Sequence, residues 1–110
     1  QDVSSEADWQ TLIAEIRRTV GALHVLVNNA GIEGDPDAPQ DPERASLESW
    51  NRIFAVNAAG VFLGCKHAIP AMRRAGHGSI VNLSSAAALC GTAPRMSSDV
   101  RSVNRRGMVL

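Results

Sequence analysis

From the N-terminus, apolar residues first recur at helical intervals, at Trp9, Leu12, Ile13, Ile16 and Val20. Ser4 or Ser5 can cap this run, Glu6 and Asp8 fall in its first turn, where carboxylates favour the helix dipole, and Gly21 supplies a stop. The pattern then changes. His24-Val25-Leu26-Val27 is a short apolar run without alternation that ends in Asn28-Asn29-Ala30-Gly31. Such a run, bounded by glycine, predicts a strand covered on both faces, as parallel sheets require.

Residues 33–44 carry Pro36, Pro39 and Pro42 among several acids and predict a long loop, which either shapes a substrate pocket or is plain surface. Ser46 caps the next helix, with Glu48 in its first turn. This helix is expected to run to about Arg74, with Pro70 kinking it or removing a hydrogen bond. At about 100° per residue, Trp50, Ile53, Phe54, Val61, Cys65, Ala68 and Met72 share one stripe, and Asn57 falls near its middle. A buried amide without partners costs roughly 1–3 kcal/mol, so Asn57 is a bridge to neighbouring backbone or part of a functional polar network. Spacing alone favours the bridge. After Gly76-His77-Gly78, the segment Ser79-Ile80-Val81-Asn82-Leu83-Ser84 predicts a second strand of the same buried type. Helix, strand, helix, strand in this order predicts a parallel α/β sheet with right-handed crossovers.

The bulk numbers narrow the function classes. A chain of 110 residues, 45% hydrophobic and 20% charged, is ordinary globular material for one small domain or a piece of a larger one. Eleven basic and eleven acidic side chains leave no net charge and no basic field for nucleic acid. The uninterrupted apolar stretches fall short of the roughly 20 residues that span a bilayer, so no membrane partner is expected. The start, Gln1-Asp2-Val3, has neither Met nor a signal pattern, and the first part of the gene product is expected to precede it. Cys65 and Cys90, without a C-x-x-C spacing, are expected to be reduced, buried thiols. His24, His67 and His77 are scattered, and no metal site is expected.

Both strands end in small polar residues, and open parallel sheets bind ligands outside the carboxyl ends of their strands. Gly31 would admit a ligand to the backbone, and Ser85 would present a hydroxyl to the same crevice. Three segments taken in order carry more: Asn28-Asn29-Ala30-Gly31, then Asn57 within Val56-Asn57-Ala58-Ala59-Gly60, then residues 78–85 ending in Ser84-Ser85. Over residues 1–98 the chain resembles the short-chain dehydrogenase/reductase family. The resemblance implies an NAD or NADP cofactor, a small alcohol or ketone substrate and a homo-oligomeric parent assembled partly through the helix at residues 47–74, while the reduced cysteines point to a cytoplasmic location. It implies that Asp2 and Val3 end a strand whose acid and following amide contact the adenine. Asn28, Ala30 and Gly31 would lie near the ribose, and Val56 on the adenine side. It makes Asn57 the asparagine that holds a water in a proton relay, and Ser85 the serine that hydrogen-bonds the substrate oxygen. Asn57 and Ser85 are then expected to face a common crevice.

The pattern also departs from the family. The glycine-rich phosphate turn is not among these residues, and the chain has no tyrosine. The family's Tyr-x-x-x-Lys pair would fall at Asp99 and Val103, and a carboxylate with a pKa near 4 is a poor acid for an alkoxide. The expectation is an α/β chain forming part of a doubly wound Rossmann fold, without its first strands and its C-terminal part. Residues 1–110 would be the central part of a single NAD(P)-binding domain, with 99–110 a divergent tail. By itself the chain is expected to be inactive. The alternative reading is a non-catalytic binding or interaction module on the same fold.

Overall fold

The computed structural model of the chain describes residues 1–35, 37, 39 and 41–85; Cys90, Asp99, Val103 and the tail lie outside them. The elements in order are α1 (Glu6–Thr19), β1 (Val25–Asn28), α2 (Leu47–Phe54), one π-helical turn (Ala55–Ala59), α3 (Gly60–Ala75) and β2 (Ser79–Asn82).

Ser5 is the cap of α1: its hydroxyl accepts from Asp8 N at 3.3 Å and donates to Asp8 Oδ1 at 3.0 Å. At the other end Gly21, with φ 88°, takes the left-handed conformation and donates its N–H to Ile16 O at 3.0 Å. Only glycine adopts that conformation without a Cβ penalty, which is why the helix stops there. Ser46 caps α2 through Ser49 N at 3.0 Å, and Gly76, with φ 90°, closes α3.

β1 and β2 pair in parallel, with Val25 opposite Ser79 and Asn28 opposite Asn82. α2, the π turn and α3 form the crossover between them. The fold is α/β, a part of a Rossmann sheet. α3 packs on β1 and on α1, and the core consists of Trp9, Leu63, Ala68 and Met72. Trp9 is 5% exposed and its indole N–H donates to Val3 O at 2.9 Å, so one side chain fills the α1–α3 seam and holds the N-terminal segment.

Three expectations are corrected. The strands are not covered on both faces. In β1 only Leu26 and Asn28 turn inward, whereas Val25 and Val27 are 58% and 52% exposed, because side chains alternate across a strand and the described helices cover one face. Asp2 and Val3 do not end a strand. Ser5 N bonds Asp2 O at 3.1 Å and Asp2 Oδ1 accepts from Ser4 N and Ser4 Oγ at 2.8 and 2.7 Å, a turn into α1 with no neighbouring strand to pair with among the described residues. At Pro70 the second of the two expected outcomes holds, since the helix keeps its course while proline, without an N–H, leaves one backbone hydrogen bond unmade; the irregularity of the long helix sits at the π turn. That turn carries one extra residue, about 100° of rotation, so Trp50 and Phe54 leave the buried stripe and stack on each other at 4.3 Å in the open. Beyond it the buried row is Gly60, Gly64, Ala68 and Met72. The helical run Leu47–Ala75, 29 residues, is long and apolar enough to cross a membrane by length and composition. Here α3 packs its small-residue face on α1 and β1.

Candidate functional site at the carboxyl ends of the strands

The parallel register brings Asn28 and Asn82 side by side where both strands end. Asn28 is 7% exposed, and its Nδ2 donates to Asn82 Oδ1 at 2.8 Å and lies 3.6 Å from Cys65 Sγ. The amide thus stitches β1 to β2 and to α3. Cys65 is a free, half-buried thiol beside it. α3 can come this close because of Gly64: a Cβ there would stand 2.5 Å from Asn28 Oδ1 and 3.2 Å from the Trp9 ring.

Next to this stitch lies a small hollow lined by Val3, Asn28, Ala30, Val56, Gly60 and Val61. Four of the residues expected along a cofactor meet here, drawn from the N-terminal turn, the end of β1 and the π turn. The hollow measures about 10 Å³, room for one water at most, so these residues offer a surface to lie on, not a pocket to enter. Gly60 sets its depth, since a Cβ there would reach Val3 Cγ2 at 3.0 Å.

Asn57 sits in the π turn, a feature that often marks functional positions in helices. Its Oδ1 accepts from Ile32 N and its Nδ2 donates to Ile32 O, both at 2.8 Å, fixing the chain just past Gly31. A Cβ on Gly31 would lie 3.6 Å from Asn57 Oδ1. An amide carries two donors and two acceptor lone pairs, so one of each remains beyond the clamp. Asn57 is exposed, contrary to its expected place in the middle of a buried stripe, because the π turn rotates it away from the core. Ser85 leaves the same edge, three residues beyond β2, and is also exposed. The described residues therefore carry Asn57 and Ser85 on one end of the sheet without enclosing them in a crevice. Asp2 is set apart: its carboxylate is taken by Ser4, whose hydroxyl and then backbone N–H hold it below the ordinary carboxylate range.

Ile32, Asn82, Gly60 and Gly64 escaped the sequence reading. The last two carry a legible signal, glycines at i and i+4 inside a helix, which mark close approach of a neighbour. Ile32 contributes only backbone atoms, and Asn82 matters only through register.

A polar clamp outside the hollow fixes α1 against α3. Glu6 Oε1 accepts from Lys66 Nζ at 2.6 Å and meets His67 Nε2 at 3.0 Å. Lys66 first, then His67, holds the Glu6 carboxyl below its ordinary value of 4.5. A depressed carboxylate contributes stability that is fully present above the unfolded value and is lost as pH falls through the folded one. Acidification below about pH 4.5 is therefore expected to loosen the α1–α3 seam, read as increased Trp9 emission wavelength, and Glu6→Gln should abolish that component. An unchanged acid profile in the variant would remove the clamp from the account.

Among the described residues, no cluster of three or more His, Cys, Asp or Glu could hold a metal ion. What the arrangement offers is a small-chained apolar shelf at the carboxyl ends of parallel strands, flanked by an asparagine clamp and a serine. In open parallel sheets this is the end of the strands where ligands bind. Residues 1–97 match the short chain dehydrogenase family, and the chain belongs to it. It is 48% identical over 84 residues to a 3-beta-hydroxysteroid dehydrogenase of Comamonas testosteroni, covering 76% of this chain and 31% of that protein. It is 43% identical over 91 residues to a 3-alpha-(or 20-beta)-hydroxysteroid dehydrogenase of Mycobacterium tuberculosis, covering 83% and 34%. A 2-(R)-hydroxypropyl-CoM dehydrogenase of Xanthobacter autotrophicus is 42% identical over 88 residues, covering 80% and 35%. The chain spans about a third of the length of these relatives.

Proposed function

We propose that the chain is part of an NAD- or NADP-dependent oxidoreductase that interconverts a secondary alcohol and a ketone by hydride transfer. The observation that carries this reading is the meeting of Val3, Asn28, Ala30 and Val56 on one shelf, with Asn57 clamping the backbone beside Gly31. The shelf fits one side of such a cofactor: Val3, Ala30 and Val56 are small and apolar enough to lie under a flat ring, and Gly31 leaves backbone open to a ribose. When bound, the nicotinamide supplies the hydride chemistry. The shelf holds no cation for the phosphates, so these residues orient the cofactor rather than grip its charge.

In this reading Asn57 uses its second donor and acceptor to hold a water for proton transfer, and Ser85 hydrogen-bonds the substrate oxygen. The reaction also needs an acid poised near neutral pH, and the chain contains no tyrosine. Residues 1–110 alone are accordingly proposed to be inactive. The substrate is proposed to be a hydroxyl on a ring or a short chain, after the names of the relatives. The protein is proposed to act in the cytoplasm as the central part of a single cofactor-binding domain.

The test is a screen of the whole protein that carries these residues, with NADH and NADPH against cyclic and aliphatic ketones. Ser85→Ala is expected to lower kcat/KM by about 100-fold, the usual effect of removing one donor to a reacting oxygen. Absence of both turnover and cofactor binding would sink the enzyme reading and favour a binding module. A homo-oligomer is proposed through α2 and α3, because Trp50, Phe54, Phe62 and Ile69 leave an apolar helix face open. Light scattering of the whole protein reads this directly, and a monomer would contradict it.

A further inference from the structure

At the end of the sheet opposite the candidate site, the parallel register brings together two histidines that the sequence keeps far apart. Val25 stands opposite Ser79, and Ser79 N donates to His24 O at 2.8 Å. His24 and His77 therefore emerge next to each other where β1 and β2 begin, with ring centroids 4.7 Å apart and planes tilted by 30°. Both are exposed, and the ring contact is the one side-chain interaction found for either among the described residues.

We propose that His24 and His77 form a two-histidine site for a divalent transition-metal ion of the zinc or nickel class. Distance argues for it. An imidazole nitrogen binds such ions at roughly 2.0–2.1 Å, which puts each ring centroid about 3.2 Å from the metal. Two rings at adjacent coordination positions, about 90–110° apart, then have centroids separated by about 4.5–5.2 Å. The observed separation lies inside that window. In-plane coordination asks each ring to turn about its Cβ–Cγ bond, a torsion that is broad and open to exposed side chains. Neutral imidazole suits borderline ions, whereas calcium and magnesium take oxygen ligands.

The backbone under His77 is fixed. Gly78 packs so tightly on Met72 that a Cβ would stand 2.5 Å from its Sδ, which seats the start of β2 on α3. Arg73 lines the hollow next to His77, and its charge opposes an ion. With that repulsion and two protein ligands, the site is an open one that water completes. An ion held there would tie the first residues of both strands across the entire crossover. It binds only where folding has brought the rings together, so it stabilises the native sheet by mass action.

The experiment is titration of the full chain with zinc and nickel chloride by calorimetry, with thermal unfolding at each ion concentration. One ion per chain and a rising Tm are expected, with no Tm change in magnesium. His24→Ala and His77→Ala should each weaken binding about tenfold or more. His67→Ala and Cys65→Ser should leave it unchanged. If an alanine variant melts lower without metal, His24→Gln and His77→Gln provide the same comparison. Undiminished affinity when His24→Ala and His77→Ala are combined, or equal loss in His67→Ala, would show a bare ring stack and overturn the site. Since these residues lie away from the shelf, the outcome is independent of turnover.

Discussion

Trp9→Ala is expected to destabilise the fold by about 3–5 kcal/mol, the largest effect of any single substitution here. The indole is 5% exposed, sits between α1 and α3, and donates its N–H to Val3 O at 2.9 Å. Alanine would remove the filling of the seam and the tether of the N-terminal turn at once. Trp9→Phe separates the two contributions: it keeps most of the packing, loses the hydrogen bond, and should cost about 1 kcal/mol. Urea unfolding of the whole protein measures both. A loss under about 1 kcal/mol for alanine would mean that the α1–α3 seam is not the core of this part of the fold.

Gly64→Ala should be nearly as damaging, about 3 kcal/mol, although it adds a single methyl group to a helix. The methyl would stand 2.5 Å from Asn28 Oδ1 and 3.2 Å from two atoms of the Trp9 ring. Neither neighbour can give way freely, because Asn28 is held by Asn82 and Cys65 and Trp9 by Val3. Moving Asn28 would also leave a buried amide short of partners. Gly31→Ala is the contrast: its nearest neighbour would be Asn57 Oδ1 at 3.6 Å, an ordinary contact. The same urea series should show Gly31→Ala close to the parent. Equal stability of the two variants would contradict the close approach of α3 to β1.

Much of this was legible before any coordinates. A cap at Ser4 or Ser5, the stop at Gly21 and the cap at Ser46 follow from local patterns, the parallel pairing of the two apolar runs follows from the order of elements, and all are present, with Ser5 as the first cap. Local signals succeed there because a cap or a left-handed glycine acts on backbone groups within a few residues. The three ordered segments at Asn28, Asn57 and Ser85 were enough to name the family that residues 1–97 match. The errors arose where one residue changes the phase of many. The π turn at Ala55–Ala59 moved Trp50 and Phe54 out of the core and turned Asn57 outward, and no periodicity of 3.6 contains an inserted residue.

The sequence by itself determined where helices begin and end, which runs become strands, and which family those runs belong to, since these depend on short-range hydrogen bonding and on ordered motifs. Only the tertiary structure decided the partners: Asn57 with the Ile32 backbone, Asn28 with Asn82, Glu6 with Lys66 and His67, and His24 with His77. Each of those pairs is separated by tens of residues. Their meeting follows from one parallel register and one helix packing, quantities set by the summed burial of a whole sheet and not by any segment of it.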